Sequence, residues 1–275
     1  MTRDPHRHDW VSDTSVPRHS PRYVFVCGLH RSGTSLLAGL LARHPRIDAI
    51  SQTDAPEQEG VYLQGAIPHT AKHGVPGAFA WDPDQHLTEA SRFNSLETAL
   101  RLECDWNRHF PATAPWRVEK SPVNLLRTRL YQQLFPLSHF VFITRHPVPV
   151  ARATAKWSDL SEADLIAHWQ HAHALMLEDI GSLHAALIVR YEDLATDPVL
   201  SLSALSAFLD IPPFPAPDSQ IENRNTDYLT GIEEGLPEIA RTLGYRADGG
   251  VEPMGRLRCR HHLRARVGSV MRHLC

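Results

Sequence analysis

The segment Gly28-Leu-His-Arg-Ser-Gly33-Thr34-Ser35 has the spacing of a phosphate cradle. Gly28 and Gly33 let the backbone turn so that consecutive N–H groups converge on an anion, and the helix opening behind them adds its positive N-terminal end. A nucleoside-triphosphate enzyme follows the second glycine with Lys and then Ser or Thr; here those places hold Thr34 and Ser35. The side chain that would reach a γ-phosphate is missing. A cradle of this kind suits a nucleotide whose terminal group carries less charge and needs no Mg²⁺ clamp, as a phosphosulfate does.

Further candidates share the same setting. Arg31 lies inside the loop, where a guanidinium can stabilise a group in transfer. Arg145, in Thr144-Arg145-His146-Pro147, directly follows an apolar run and can make a bidentate contact to a phosphate. Lys120, in Glu119-Lys-Ser-Pro, stands out because the only lysines are Lys72, Lys120 and Lys156. Transfer to a hydroxyl also needs a group to take the acceptor's proton, and Glu59 or Glu57, in Pro56-Glu-Gln-Glu-Gly-Val-Tyr-Leu, can do so; Glu59 is preferred.

The elements that must carry these residues are legible as short strand-like runs at 23–27, 47–50, 116–119, 140–144 and 186–190, alternating with helical patterns. Leu36, Leu37, Leu40 and Leu41 recur at helical spacing until His44-Pro45 stops them. Ser121-Pro122 reads as a cap and first helical position, opening a helix through Leu134, and Asp197-Pro198 repeats the device. The alternation predicts an α/β fold with a parallel sheet flanked by helices on both faces. In such folds ligands lie beyond the carboxyl ends of the strands, which is where the glycine loop, Lys120 and Arg145 all fall.

Around that core, residues 1–20 read as a flexible arm and residues 21–247 as the domain. Residues 52–107, rich in Pro, Gly, Asp and His with weak periodicity, read as an irregular insertion on the acceptor side. Residues 248–275 read as a loosely attached, Arg- and His-rich tail. A net charge of −3 over 275 residues supplies no basic field for nucleic acid, so an anionic ligand must be held locally. No run has the length of a membrane span, which speaks against stable membrane insertion, and scattered cysteines without a C-x-x-C pattern fit a reducing, cytoplasmic setting. His168, His171 and His173 share no convincing helical face, so no metal is expected. Oligomeric state is left open.

The ordered segments VFVCGLHRSGTSLLAGLLARHP, PEQEGVYLQ, EKSPVNLL, LFPLSHFVFITRHP and RYEDLATDP resemble the PAPS-dependent sulfotransferase family, especially its bacterial members and the tyrosylprotein sulfotransferase branch. The resemblance implies a P-loop NTPase-like fold and 3′-phosphoadenosine 5′-phosphosulfate (PAPS) as co-substrate. It assigns Arg31, Ser32, Gly33, Thr34 and Ser35 to the 5′-phosphosulfate, Arg145 to the 3′-phosphate and Tyr191 to the adenine. It makes Lys120 the cation that stabilises the leaving bridging oxygen, and places a glutamate base in the region of Glu57 and Glu59. The cytosolic branch uses a histidine instead, for which His30 and His69 stand in the right neighbourhood without matching its motif. The family's serine eight positions after the 3′-phosphate arginine is Ala153 here, which leaves Thr154 as the candidate hydroxyl, and its Arg-Lys-Gly loop has no clear counterpart near Arg224 and Tyr228.

The expected activity is therefore sulfuryl transfer from PAPS to a hydroxyl or amine on a small-molecule or glycan acceptor. The alternatives are a P-loop small-molecule kinase, opposed by the missing lysine, and a non-catalytic nucleotide-binding module, which the Ala153 departure would suit.

Overall fold

Alternation of side-chain size along the strands sets the two faces of the sheet. A computed structural model describes residues 22–68, 76–111, 114–215, 217, 220–230, 235–254 and 259–261. Five parallel strands, β1 (Arg22–Cys27), β2 (Ile47–Ala49), β3 (Trp116–Lys120), β4 (His139–Thr144) and β5 (Ala185–Arg190), stand in the order β2-β3-β1-β4-β5. In β1 the large residues Tyr23 and Phe25 point to one face and Val24 and Val26 to the other; in β4, Phe140 and Phe142 oppose Val141 and Ile143. Both faces are buried, so these two strands read as continuous apolar runs.

Helices cover each face. On the aliphatic side pack α1 (Thr34–Ala42), α6 (Tyr191–Thr196) and α7 (Pro198–Leu209). On the aromatic side pack α2 (Leu96–Asn107), α3 (Thr128–Leu134), α5 (Glu162–Ile180) and α8 (Glu238–Thr242), with α4 (Pro147–Thr154) along α5. The glycine loop joins the central strand β1 to α1, so the chain has the expected P-loop NTPase-like architecture.

Three details differ from the sequence expectation. The helix predicted to run from Pro122 through Leu134 is divided into a 3₁₀ segment, Pro122–Leu126, and α3. Ser121 does not cap it, because its hydroxyl donates to Glu119 at 2.6 Å. The insertion is not irregular throughout: after several 3₁₀ turns it ends in α2, whose N-cap Ser95 accepts the backbone N–H of Thr98. Within the C-terminal stretch, β6 (Cys259–His261) pairs antiparallel with β5 and closes that edge of the sheet. The expected arm, residues 1–20, lies outside the described residues, as does His69.

Phe25 is fully buried at the centre of the aromatic face, stacked on Tyr131 at 4.6 Å and Phe140 at 5.7 Å between ring centres. Phe25→Ala is expected to lower unfolding free energy by about 3–5 kcal/mol, read from urea denaturation.

Candidate active site

β1 ends at Cys27, and the chain turns at once because Gly28 has no room for a side chain: a Cβ there would lie 2.4 Å from the Ile143 carbonyl oxygen. Ser32 folds the loop inward, its hydroxyl donating to Leu29 O at 2.6 Å. Gly33, at φ +103°, starts α1 without a side-chain cap, which leaves the first-turn N–H groups of that helix available to an anion. Arg31 also takes a positive φ, 64°, and its guanidinium lies over the Trp157 ring at 3.2 Å.

The loop forms one wall of a cleft of about 600 Å³. Of the residues assigned from sequence, Arg31, Gly33, Thr34, Ser35, Glu57, Glu59, Arg145 and Tyr191 line it, together with His30, Trp157 and Arg224. Ser32 is wholly buried beneath the loop, so its hydroxyl is spent on structure. Thr154 is not brought to the cleft. It lines a separate small void with Leu29, His30, Gly77 and His168. A larger groove of about 800 Å³ runs along the outer side of α5 between Trp81 and Pro237; it holds no residue of the glycine loop and neither Arg145 nor Glu59, so the chemistry is assigned to the smaller cleft.

The two glutamates occupy different environments. Glu57 is exposed, at φ 51°, and accepts the Ser35 hydroxyl at 2.9 Å. Glu59 is buried against Lys120, whose Nζ donates to its carboxylate at 3.2 Å. Burial pushes the Glu59 carboxyl up to about 7; the Lys120 ammonium opposes the rise, and the charges of Glu119 and Glu57 add to it. His30 is driven the other way, down to about 4, first by burial and then by Lys120 and Arg31. Of the two residue types that could serve as base, the glutamate is the one poised near neutrality.

What holds Glu59 in place was not evident in the sequence. Glu119, the residue before Lys120, is fully buried, and its carboxylate accepts the Gly60 N–H at 3.0 Å, the Ser121 hydroxyl at 2.6 Å and the Asn124 amide at 2.5 Å. Val61 N–H donates to Ser121 Oγ at 3.1 Å, and Trp106 Nε1 donates to Gly60 O at 2.9 Å. The end of β3 thus grips three consecutive residues of the loop through side chains. The one available signal was the adjacency of Glu119 to a scarce lysine at the end of a strand.

A second cluster surrounds Arg145. Its guanidinium lies over the Tyr191 ring at 4.3 Å and donates from Nη1 to Arg31 O at 3.1 Å, while Nη2 is buried without a partner. An unpaired buried guanidinium nitrogen beside an anion cradle fits a second anionic group of the ligand. Tyr191, expected at the adenine, spends its hydroxyl on the segment after α7, donating to Glu222 O at 2.8 Å and accepting Arg224 N–H at 3.1 Å. Histidines of the HWQHAH run serve packing: His168 Nε2 accepts Ala80 N–H at 3.0 Å, and His173 stacks on Trp169 at 3.9 Å.

With this geometry in view, residues 21–216 match the family model described as "Sulfotransferase family". The chain belongs to the sulfotransferase family. It is similar to the protein-tyrosine sulfotransferase of Drosophila melanogaster, 27% identical over 203 residues; the match takes in 69% of this chain and only 38% of that protein. Solved structures with a likeness include the sulfotransferase domain from the curacin biosynthetic pathway, with TM-score 0.45, 15% identity, and coverage of 93% of this chain and 98% of that one. A sulfotransferase from Alicyclobacillus acidocaldarius has TM-score 0.45 and 17% identity, covering 76% and 88% respectively. Among the described residues, no group of three or more His, Cys, Asp or Glu could hold a metal, and no helix is long and apolar enough to cross a membrane.

A Cβ on Gly60 would fall 2.6 Å from the Glu119 carboxylate, which three hydrogen bonds prevent from yielding. Gly60→Ala is therefore expected to destabilise the fold by roughly 1–3 kcal/mol, measured by denaturant midpoint at unchanged m-value.

Proposed function

We propose that this sulfotransferase moves the sulfuryl group of PAPS to a hydroxyl, or an amine, of a small-molecule or glycan acceptor. The observation that carries the reading is Glu59: a carboxyl with pKa about 7, paired with Lys120, in the same cleft as a glycine loop that lacks the NTPase lysine.

The chemistry is an in-line displacement. The acceptor oxygen attacks sulfur, its proton passes to the Glu59 carboxylate, and the bond from sulfur to the bridging oxygen breaks. The electron pair stays on that oxygen, giving adenosine 3′,5′-bisphosphate and the sulfated acceptor. The first-turn N–H groups of α1, with Thr34, Ser35 and Arg31, hold the 5′ end and offset its growing charge. Lys120 steadies Glu59 between turnovers and is the cation for the leaving oxygen. Arg145, whose Nη2 is unpaired, takes the 3′-phosphate. Holding both ends of the donor turns a bimolecular encounter into an oriented one, and positioning of this kind supplies much of the acceleration.

Two outcomes are expected. Adenosine 3′,5′-bisphosphate should stabilise the protein in thermal melts, by about 2.7 kcal/mol at a hundredfold excess over its Kd; stabilisation by Mg-ATP in its place would sink the reading in favour of a kinase. Bisphosphate release from PAPS in the presence of acceptor should rise with pH through about 7, since the proton acceptor is the ionised form of Glu59. Glu59→Gln should abolish that limb and lower the rate by roughly 10²–10⁴-fold.

A further inference from the structure

The segment between α7 and α8 contributes a buried polar side chain that the reaction above does not use. Asn225 is 2% exposed and stands between two charged groups. Its Oδ1 accepts from Arg145 Nε at 2.7 Å, and its Nδ2 donates to Glu192 Oε1, also at 2.7 Å. The same Glu192 oxygen accepts the His146 N–H at 3.0 Å. Arg145 is thus fixed at Nε by Asn225, at Nη1 by the Arg31 carbonyl and across its face by the Tyr191 ring. Only the Nη2 edge is left unspent.

Charge balance explains why an amide sits there. A buried guanidinium needs a compensating charge, and Glu192 is the buried carboxylate beside it. Were the two in direct contact, a bidentate pair would consume the fork that an incoming phosphate requires. Asn225 keeps the carboxylate one residue removed, donating to it and accepting from the arginine. Preorganisation follows as well: a guanidinium already held by two bonds and a ring loses little side-chain freedom when a ligand arrives.

α4 carries Ala153 where the resemblance leads one to expect a serine, and the next hydroxyl, Thr154, lies in the void beside Gly77 and His168 rather than in the cleft. Donor recognition at this end therefore falls on the arginine and on what aims it.

We propose that Asn225 is a positioning residue for donor selectivity, spacing Glu192 from Arg145 so that the guanidinium keeps its Nη2 edge unpaired for the 3′-phosphate. The proposal rests on the PAPS reading above. Without Asn225, Arg145 is free to swing onto Glu192 and close the site.

The test is titration calorimetry on the full chain with adenosine 3′,5′-bisphosphate and, separately, adenosine 5′-phosphate. The wild type should prefer the bisphosphate. Asn225→Ala should weaken the bisphosphate by roughly 10–100-fold, the range of a lost hydrogen bond to a charged group, and adenosine 5′-phosphate by less than about threefold. Loss of general structure would move both ligands together. If Asn225→Ala shows no cooperative melt, Asn225→Gln is measured in its place; its longer side chain displaces the guanidinium and should depress the same ratio. A wild-type preference that the folded variant retains in full overturns the relay and leaves the donor reading intact. A wild type that binds neither nucleotide overturns both.

Discussion

The parallel hydrogen-bond ladder joining β3, β1 and β4 is what the site depends on. Val26 pairs in register with Lys120, and Cys27 with Phe142, so the three strands run out at one edge of the sheet. The glycine loop follows β1 directly, Lys120 is the last residue of β3, and Arg145 directly follows β4. Helices cover both faces, and β2 and β6 occupy the sides. The carboxyl ends of the strands are consequently the place where backbone polar groups and charged side chains can meet a ligand without disturbing the core.

Three buried acids near that edge are compensated in different ways, and the differences divide their labour. Glu119 receives three donors, from Gly60, Ser121 and Asn124, and is committed to holding the loop. Glu192 receives donors from His146 and Asn225 and balances Arg145 from one residue away. Glu59 has Lys120 and the open cleft. Burial raises the pKa of all three, but a proton can be exchanged with a substrate only where the carboxylate faces one. In a protein of net charge −3 the cleft itself mixes both signs, with Arg31, Arg145 and Arg224 lining it beside Glu57, Glu59 and Glu222.

β1, β4 and β5 were legible because burial on both faces writes an apolar run, β2 and β3 less directly because Asp48, Arg117, Glu119 and Lys120 interrupt theirs, and the glycine loop was legible because its spacing follows from backbone geometry alone. β6 left no comparable mark: Cys-Arg-His has no strand pattern, and it pairs only because β5 offers an open edge. Ser121 misled in the opposite direction, since Ser-Pro is a sound local helix start and only a buried neighbour, Glu119, drew the hydroxyl away. Thr154 lies in α4 and lines the void beside Gly77 and His168, a placement that its spacing from Arg145 alone did not fix. Asn225 was invisible because it lies in an aperiodic segment and meets Arg145 across 80 residues of chain.

The choice between Glu57 and Glu59, open in the sequence, turns on the helix that follows the loop. α1 has no acid in its own first turn, and the exposed Glu57 supplies one from outside by way of Ser35. Glu57 lines the cleft beside the glycine loop, held by the Ser35 hydroxyl. Glu59, two residues on, is turned into the protein by the grip of β3 on Gly60 and Val61 and meets the cleft as a desolvated carboxyl. The same short loop therefore places two identical side chains in different surroundings, one exposed beside Ser35 and one buried against Lys120, and it is the buried end of β3, not the loop's own sequence, that makes the distinction.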